Sequence, residues 1–115
     1  RRVTEGFLRL HDPTDGVFAA DNLMAMGALD AVRARGLGVP EDLALAAFDD
    51  ISWFVHTDPP ITAIAQPTGE LGRAAVRALV DRIEGRPPES VTLSARLVVR
   101  RSCGEDRTPA QRSTS

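Results

Sequence analysis

The chain has 115 residues, a formal net charge of −2 and a pI near 5.6. Its 43% hydrophobic and 26% charged residues are typical of a soluble globular protein, and no excess of positive charge marks the chain as a polyanion binder. All 14 basic residues are arginine, which excludes chemistry that needs a lysine: a P-loop phosphate site, a Schiff base or a lysine general base.

The beginning of the chain predicts the end of a helix, a turn and a strand. Val3–Leu10 has the pattern of a helix tail, and the DPTDG sequence of residues 12–16 is rich in turn formers. Val17–Ala20 is short, apolar and flanked by turn signals, which indicates a buried strand.

A helix and a second strand follow. Leu23–Arg35 predicts a helix, with Asp21 or Asn22 as its N-cap and Gly36 as its stop. Its apolar residues fall on one face at helical spacing: Ala25, Ala28, Leu29 and Val32. Leu43–Phe48 is apolar at every position, as in a parallel strand covered on both faces. This order predicts a βαβ unit with a right-handed crossover.

The second half predicts a third strand, a long helix and short strands. Ile61–Ala65 is the strand, and Thr68 is the expected cap of the next helix. The helix has an apolar stripe: Leu71, Ala75, Ala78, Leu79 and Ile83. Val91–Leu93 and Arg96–Arg100 are short strand candidates, and the polar tail over residues 104–115 is expected to be disordered.

Acidic residues follow the first two predicted strands directly. Asp21 comes after the first strand, and Asp49 and Asp50 come after the second. Open α/β sheets bind ligands at the carboxyl ends of their strands, and ionised carboxylates accept hydrogen bonds from donors such as sugar hydroxyls. Three alternatives remain open for these residues: capping of a helix by Asp21, a solvated turn at Asp49 and Asp50, and a magnesium site made by all three.

Several other residues are candidates with a structural alternative. Trp53 and Phe54 lie in a predicted loop, where aromatic side chains mark an interface or a ligand stack unless they pack locally. His56 does not have the sequence spacing of a metal ligand, and Cys103, as the single cysteine, cannot form an internal disulfide. The pair Arg100–Arg101 is interpreted as a solvated strand end.

Three segments carry a family resemblance: GVFAADNLMAMGALDAVRARGLGVPEDLALAAFDDISWF, DPPITAIAQPTGELGRAAVRALVDRIEG and LSARLVVRRSC. From about Gly16 to Cys103, the chain resembles the C-terminal part of the effector-binding domain of LacI/GalR-family transcriptional regulators. The resemblance implies a partial α/β fold of the periplasmic-binding-protein-like type I class, in which two α/β subdomains joined by three crossing strands surround a ligand cleft.

The resemblance also implies a division of the chain. Residues 1–64 would belong to the C-terminal subdomain, and residues 65–95 would cross to the N-terminal subdomain and supply one helix there. Residues 96–103 would return as a strand, before the tail over 104–115. The DNA-binding domain would be absent from this chain, so we expect that the chain alone does not bind operator DNA; specific binding in a gel shift would refute this.

The site residues are carried over position by position. The implied effector-binding residues are Asp49, Asp21, Asn22 and Gln66. The implied dimer-interface residues are Met26, Ser52, Trp53, Phe54 and His56. The order here is Asp21-Asn22, whereas many relatives have asparagine before aspartate.

The function implied is effector sensing in a cytoplasmic, homodimeric repressor. The effector would be a hydroxyl-rich small molecule such as a sugar, and operator DNA would be bound through the absent domain. No catalytic residue, metal, cofactor or membrane partner is expected. One alternative is a periplasmic sugar-binding protein of a transporter; another is an enzyme in which Asp21, Asp49 and Asp50 hold magnesium for phosphoryl transfer.

Overall fold

The computed structural model describes residues 2–8 and 14–104, which form a mixed α/β structure. Its helices are α1 (Arg2–Phe7), α2 (Asn22–Arg33) and α3 (Thr68–Ile83). Its strands are β1 (Gly16–Ala19), β2 (Ala44–Phe48), β3 (Thr62–Ala65) and β4 (Arg96–Val98), and short 3-10 helices span Ser52–Val55 and Arg101–Cys103. The α/β class predicted from the sequence is confirmed. None of these helices has the length and apolar character that crossing a bilayer requires.

The four strands form one sheet in the order β1-β2-β3-β4. β1, β2 and β3 run parallel, and β4 is antiparallel to β3. The predicted βαβ unit is therefore confirmed as β1, α2 and β2. Because the three parallel strands share a direction, the residues that follow β1, β2 and β3 emerge at the same edge of the sheet.

One face of the sheet is buried against α2. The predicted apolar face of this helix is buried at all four positions, and it packs in one core with Leu45 and Ala47 of β2. Leu43, Phe54 and Ile61 are further large side chains that are fully buried in this core. Full burial of a leucine or phenylalanine side chain contributes about 1.5–3 kcal/mol, so this face provides most of the hydrophobic stabilisation.

The other face of the sheet is covered less completely. Phe48 of β2 is half-buried, and Phe18 of β1 and Leu97 of β4 are 59% and 61% exposed. The register places these side chains on one face, because Phe18 pairs with Ala46, and Phe48 and Leu97 both pair with Ile64. The sequence predicts that β2 is covered on both faces. Within the described residues, only its face against α2 is fully covered.

The ends of α2 and α3 differ in how they are capped. Asp21 is the N-cap of α2, and its Oδ1 accepts a hydrogen bond of 2.7 Å from the backbone N–H of Met24. The prediction that Thr68 caps α3 is wrong, since Pro67 occupies the N-cap position and no side chain caps the helix. Thr68 already lies in the first turn, where its N–H donates to the Gln66 carbonyl at 2.9 Å.

The segment after α3 is less regular than predicted. No residue of α3 is buried in the described structure, and the large side chains of its apolar stripe, Leu71, Leu79 and Ile83, are exposed. Val91–Leu93 is not a strand, which corrects the sequence prediction, and the strand predicted over Arg96–Arg100 ends at Val98. Beyond Val98 the chain is held by side-chain bonds and by a backbone bond of 3.1 Å from the Ser102 N–H to the Pro60 carbonyl, rather than by strand pairing. Residues 9–13 and 105–115, with the end of the first predicted helix, part of the first turn and nearly all of the predicted tail, lie outside the described residues.

Candidate functional site

The carboxyl edge of the parallel strands carries the predicted effector residues. Asp21 follows β1, Asp49 follows β2 directly, and Gln66 follows β3 directly. Because β2 lies between β1 and β3, Asp49 occupies the middle of this edge. We name Asp21, Asn22, Asp49 and Gln66 the edge cluster; all four are partly buried.

Asp49 and Gln66 are in direct contact. The Gln66 Nε2 donates a hydrogen bond to Asp49 Oδ1 across 17 residues of sequence. One carboxylate oxygen is therefore engaged, and the second carboxylate oxygen, the Gln66 Oε1 and one Gln66 N–H retain hydrogen-bonding capacity. The pair presents more acceptors than donors, which suits a ligand with hydroxyl donors.

The backbone at Asp49 is unusual. Its φ angle of 69° lies in the left-handed region, and no other non-glycine residue of the described structure has a positive φ. Aspartate tolerates this region better than most residues, at a cost of about 1–2 kcal/mol. Backbone strain of this kind persists where the surrounding structure holds it, and it is concentrated at ligand-binding sites.

Asp21 and Asn22 have different environments within the edge cluster. One carboxylate oxygen of Asp21 is used in capping α2, so the structural alternative considered from the sequence is present. Asn22 is the first residue of α2, and its side chain makes no hydrogen bond to another described residue. Capping leaves Asp21 Oδ2 as an acceptor, so the cap does not exclude ligand contact.

Asp50 and its neighbour Asp49 bind different side chains. Its two carboxylate oxygens accept hydrogen bonds of 2.8 Å each from Nη1 and Nη2 of Arg100. The side chains of Arg100 and Asp50 are 14% and 18% exposed. The interpretation of Arg100 as a solvated strand end is therefore wrong. Its partner lies 50 residues away in sequence, and no local pattern indicates a pair of that separation.

Ser102 and Thr62 are two further structural residues that the sequence did not single out. Ser102 is fully buried, and its Oγ donates to the Leu45 carbonyl at 2.6 Å and accepts from the Thr62 N–H at 2.8 Å. The Thr62 hydroxyl and the backbone of Arg100 exchange two bonds of 2.8 Å. These bonds fix the segment after β4 to β2 and β3.

The three acidic residues considered for magnesium do not converge. The carboxylates of Asp49, Asp50 and Asp21 contact Gln66, Arg100 and the start of α2, respectively. Within residues 2–8 and 14–104 no group of three histidine, cysteine, aspartate or glutamate side chains is placed to hold a metal ion. An arginine bound to both Asp50 oxygens occupies the positions that a cation would need.

The predicted dimer residues divide into exposed and buried ones. Trp53 is 70% exposed, and its ring makes an edge-to-face contact with His56 at 6.4 Å between ring centroids. Ser52 and His56 are exposed, and Met26 is partly buried. Phe54 is fully buried in the core, so its assignment to the interface is corrected: its side chain packs locally and presents no surface. We name Met26, Ser52, Trp53 and His56 the Trp53 surface.

A cavity of about 220 Å³ lies along α3, away from the edge cluster. Charged side chains of both signs line it, among them Arg73, Arg77 and Glu89. Mixed charge gives no preference for an anion or a cation, and we assign no ligand to it.

Comparison with known proteins places this geometry in a class. The family model of the periplasmic binding protein-like domain matches residues 2–103. The chain belongs to this family.

Individual relatives narrow the class. The HTH-type transcriptional regulator CelR of Thermobifida fusca is 47% identical over 90 residues, which cover 76% of this chain and 26% of CelR. A crystal structure of a LacI family transcriptional regulator from Arthrobacter sp. FB24 in complex with lactose is 39% identical, with a TM-score of 0.75; the match covers 89% of this chain and 40% of that one. A CelR–cellobiose complex is 44% identical, with a TM-score of 0.73, over 78% of this chain and 28% of that one. The chain is a LacI-family sequence that spans about a quarter of the length of CelR.

Proposed function

We propose that this chain is the C-terminal part of the effector-binding domain of a transcriptional repressor, and that its effector is a hydroxyl-rich molecule such as a sugar. The observation that carries the proposal is the contact between Asp49 and Gln66 at the carboxyl edge of the sheet. The lactose and cellobiose complexes of similar regulators support the same ligand class. Operator DNA is bound by another domain of a cytoplasmic homodimer.

The chemistry of the edge cluster fits sugar hydroxyls. An ionised Asp49 carboxylate only accepts hydrogen bonds, and each sugar hydroxyl has a proton to donate. A charge-assisted bond of this kind is about twice as strong as a neutral one in a closed cleft. Gln66 orients the carboxylate through Oδ1, so that Oδ2 is the acceptor offered to the ligand.

The domain division of the resemblance is part of the proposal. Residues 1–64 and 96–103 form the C-terminal subdomain, and residues 65–95 cross to the N-terminal subdomain with α3. The absence of any buried residue in α3 within the described structure supports this, because an amphipathic helix of 16 residues normally buries its apolar face. Gln66 then lies at the crossing itself, next to the cleft.

Effector binding changes DNA affinity if the effector binds one arrangement of the two subdomains better than the other. The edge cluster supplies such a difference, since Asp49 belongs to one subdomain and Gln66 begins the crossing to the other. The Trp53 surface then joins two copies, so that both DNA-binding domains respond together.

The test is isothermal titration calorimetry of the intact regulator with lactose and with cellobiose. Asp49→Ala removes a charged acceptor, and we expect it to weaken binding by about 2 kcal/mol or more. Asp15→Ala is the matched control, because Asp15 is an exposed aspartate that precedes β1 at the opposite edge of the sheet. An unchanged affinity in Asp49→Ala contradicts the assignment.

A further inference from the structure

We infer that Arg100, acting through Asp50, is a positioning residue that holds the effector-binding carboxylate of Asp49 in place. The inference rests on the proposed function of Asp49 and extends it to a residue that follows β4. Asp49 and Asp50 are adjacent, yet one side chain contacts Gln66 and the other contacts Arg100.

Asp49 needs an external support because its backbone is in the left-handed region, at φ 69°. In an unsupported loop, an L-residue relaxes from this region to a more favourable one. The residue that follows sets the direction in which the chain leaves Asp49. Fixing the Asp50 side chain therefore restricts the Asp49 backbone, and with it the direction of the Asp49 carboxylate.

The bond to Arg100 provides that support. Two parallel bonds of 2.8 Å join the guanidinium to both oxygens of Asp50, a bidentate geometry that allows little rotation of either side chain. Both side chains are largely shielded from water, so the attraction is screened less than at the surface.

Arg100 is itself held at several points. Its Nη1 donates to the Ile61 carbonyl at 2.6 Å, and its backbone exchanges two bonds with the Thr62 hydroxyl. Arg100 is thus anchored to the start of β3, while Asp50 lies beyond the end of β2. The ion pair connects the loop that contains Asp49 to a rigid part of the sheet.

The test separates positioning from general stability. Asp50→Asn removes one charge at nearly constant size, and Arg100→Lys keeps the charge but loses the bidentate geometry. Val32→Ala is the control, since Val32 is fully buried in the core on α2 and its truncation lowers stability without touching Asp50 or Arg100. Two quantities are measured in the intact regulator: the affinities for lactose and cellobiose by calorimetry, and the NMR signal of the Gln66 side-chain amide, assigned by its loss in Gln66→Leu.

The reference is Asp49→Asn, which replaces the charged acceptor of the Gln66 amide. We expect Asp50→Asn and Arg100→Lys to shift the Gln66 amide signal toward its position in this reference variant. The sugar affinity falls about tenfold in the same variants, as for residues coupled within one network. Val32→Ala lowers the melting temperature and changes neither quantity. The inference is overturned if the signal stays at its wild-type position in Asp50→Asn and Arg100→Lys, or if Val32→Ala shifts it equally.

The two proposals fail in different ways. If Asp49→Asn leaves the affinity unchanged, the effector-binding role of Asp49 is contradicted. If wild type binds neither sugar, lactose and cellobiose are excluded as effectors of this regulator. In both cases the Gln66 signal still decides whether Arg100 positions Asp49. If Asp49→Asn abolishes binding but Asp50→Asn and Arg100→Lys bind normally, the function stands and the positioning role is wrong.

Discussion

Ser102 and Leu45 are joined by a buried hydrogen bond of 2.6 Å, although 57 residues separate them in sequence. The same Ser102 oxygen accepts from the Thr62 N–H at 2.8 Å. One hydroxyl therefore bridges a backbone carbonyl of β2 and a backbone N–H of β3, and Ser102 is not exposed to solvent. It fixes the last described turn of the chain to the centre of the sheet.

Ser102→Ala is expected to destabilise the intact protein. The substitution leaves the Thr62 N–H without its partner and removes a donor from the Leu45 carbonyl, and a buried unpaired group costs about 1–3 kcal/mol. Chemical denaturation monitored by circular dichroism measures the change. Ser90→Ala is the control, because Ser90 is exposed in the segment after α3 and its loss should change stability by no more than about 0.5 kcal/mol. Equal stability of the two variants contradicts the bridging role.

Asp21 has two possible roles, and two substitutions separate them. Asp21→Ala removes the cap of α2 and should cost about 1 kcal/mol of stability, whereas Asp21→Ser retains a capping oxygen and should remain close to wild type. Ser lacks the second carboxylate oxygen and the charge. If Asp21 also contacts the effector, Asp21→Ser loses sugar affinity at unchanged stability; thermal melting and calorimetry on the same samples give both quantities. Normal sugar binding by Asp21→Ser limits Asp21 to the cap.

Local pattern was sufficient for most of the elements, although not for the segment Val91–Leu93, and it was insufficient for the contacts between elements. The α2 face, the two parallel strands around it and the acidic edge follow from spacing and turn residues over short stretches of sequence. Arg100 and Ser102 reach their partners across 50 and 57 residues, so their burial depends on the antiparallel return of β4. Phe54 illustrates the same limit, because the local sequence around an aromatic residue in a loop does not indicate whether its side chain enters the core or faces solvent.

Trp53 is expected to be a principal contact of the homodimer that we propose. A large aromatic side chain that is 70% exposed beside an exposed histidine is a typical centre of an interface. Trp53→Ala should raise the dimer dissociation constant of the intact protein about tenfold or more, measured by sedimentation equilibrium. Val3→Ala is the control, since Val3 is an equally exposed apolar residue on α1. Phe54→Leu should instead lower the melting temperature and leave the dissociation constant unchanged, because Phe54 belongs to the core. An unchanged dissociation constant in Trp53→Ala would place the dimer contact elsewhere on the molecule.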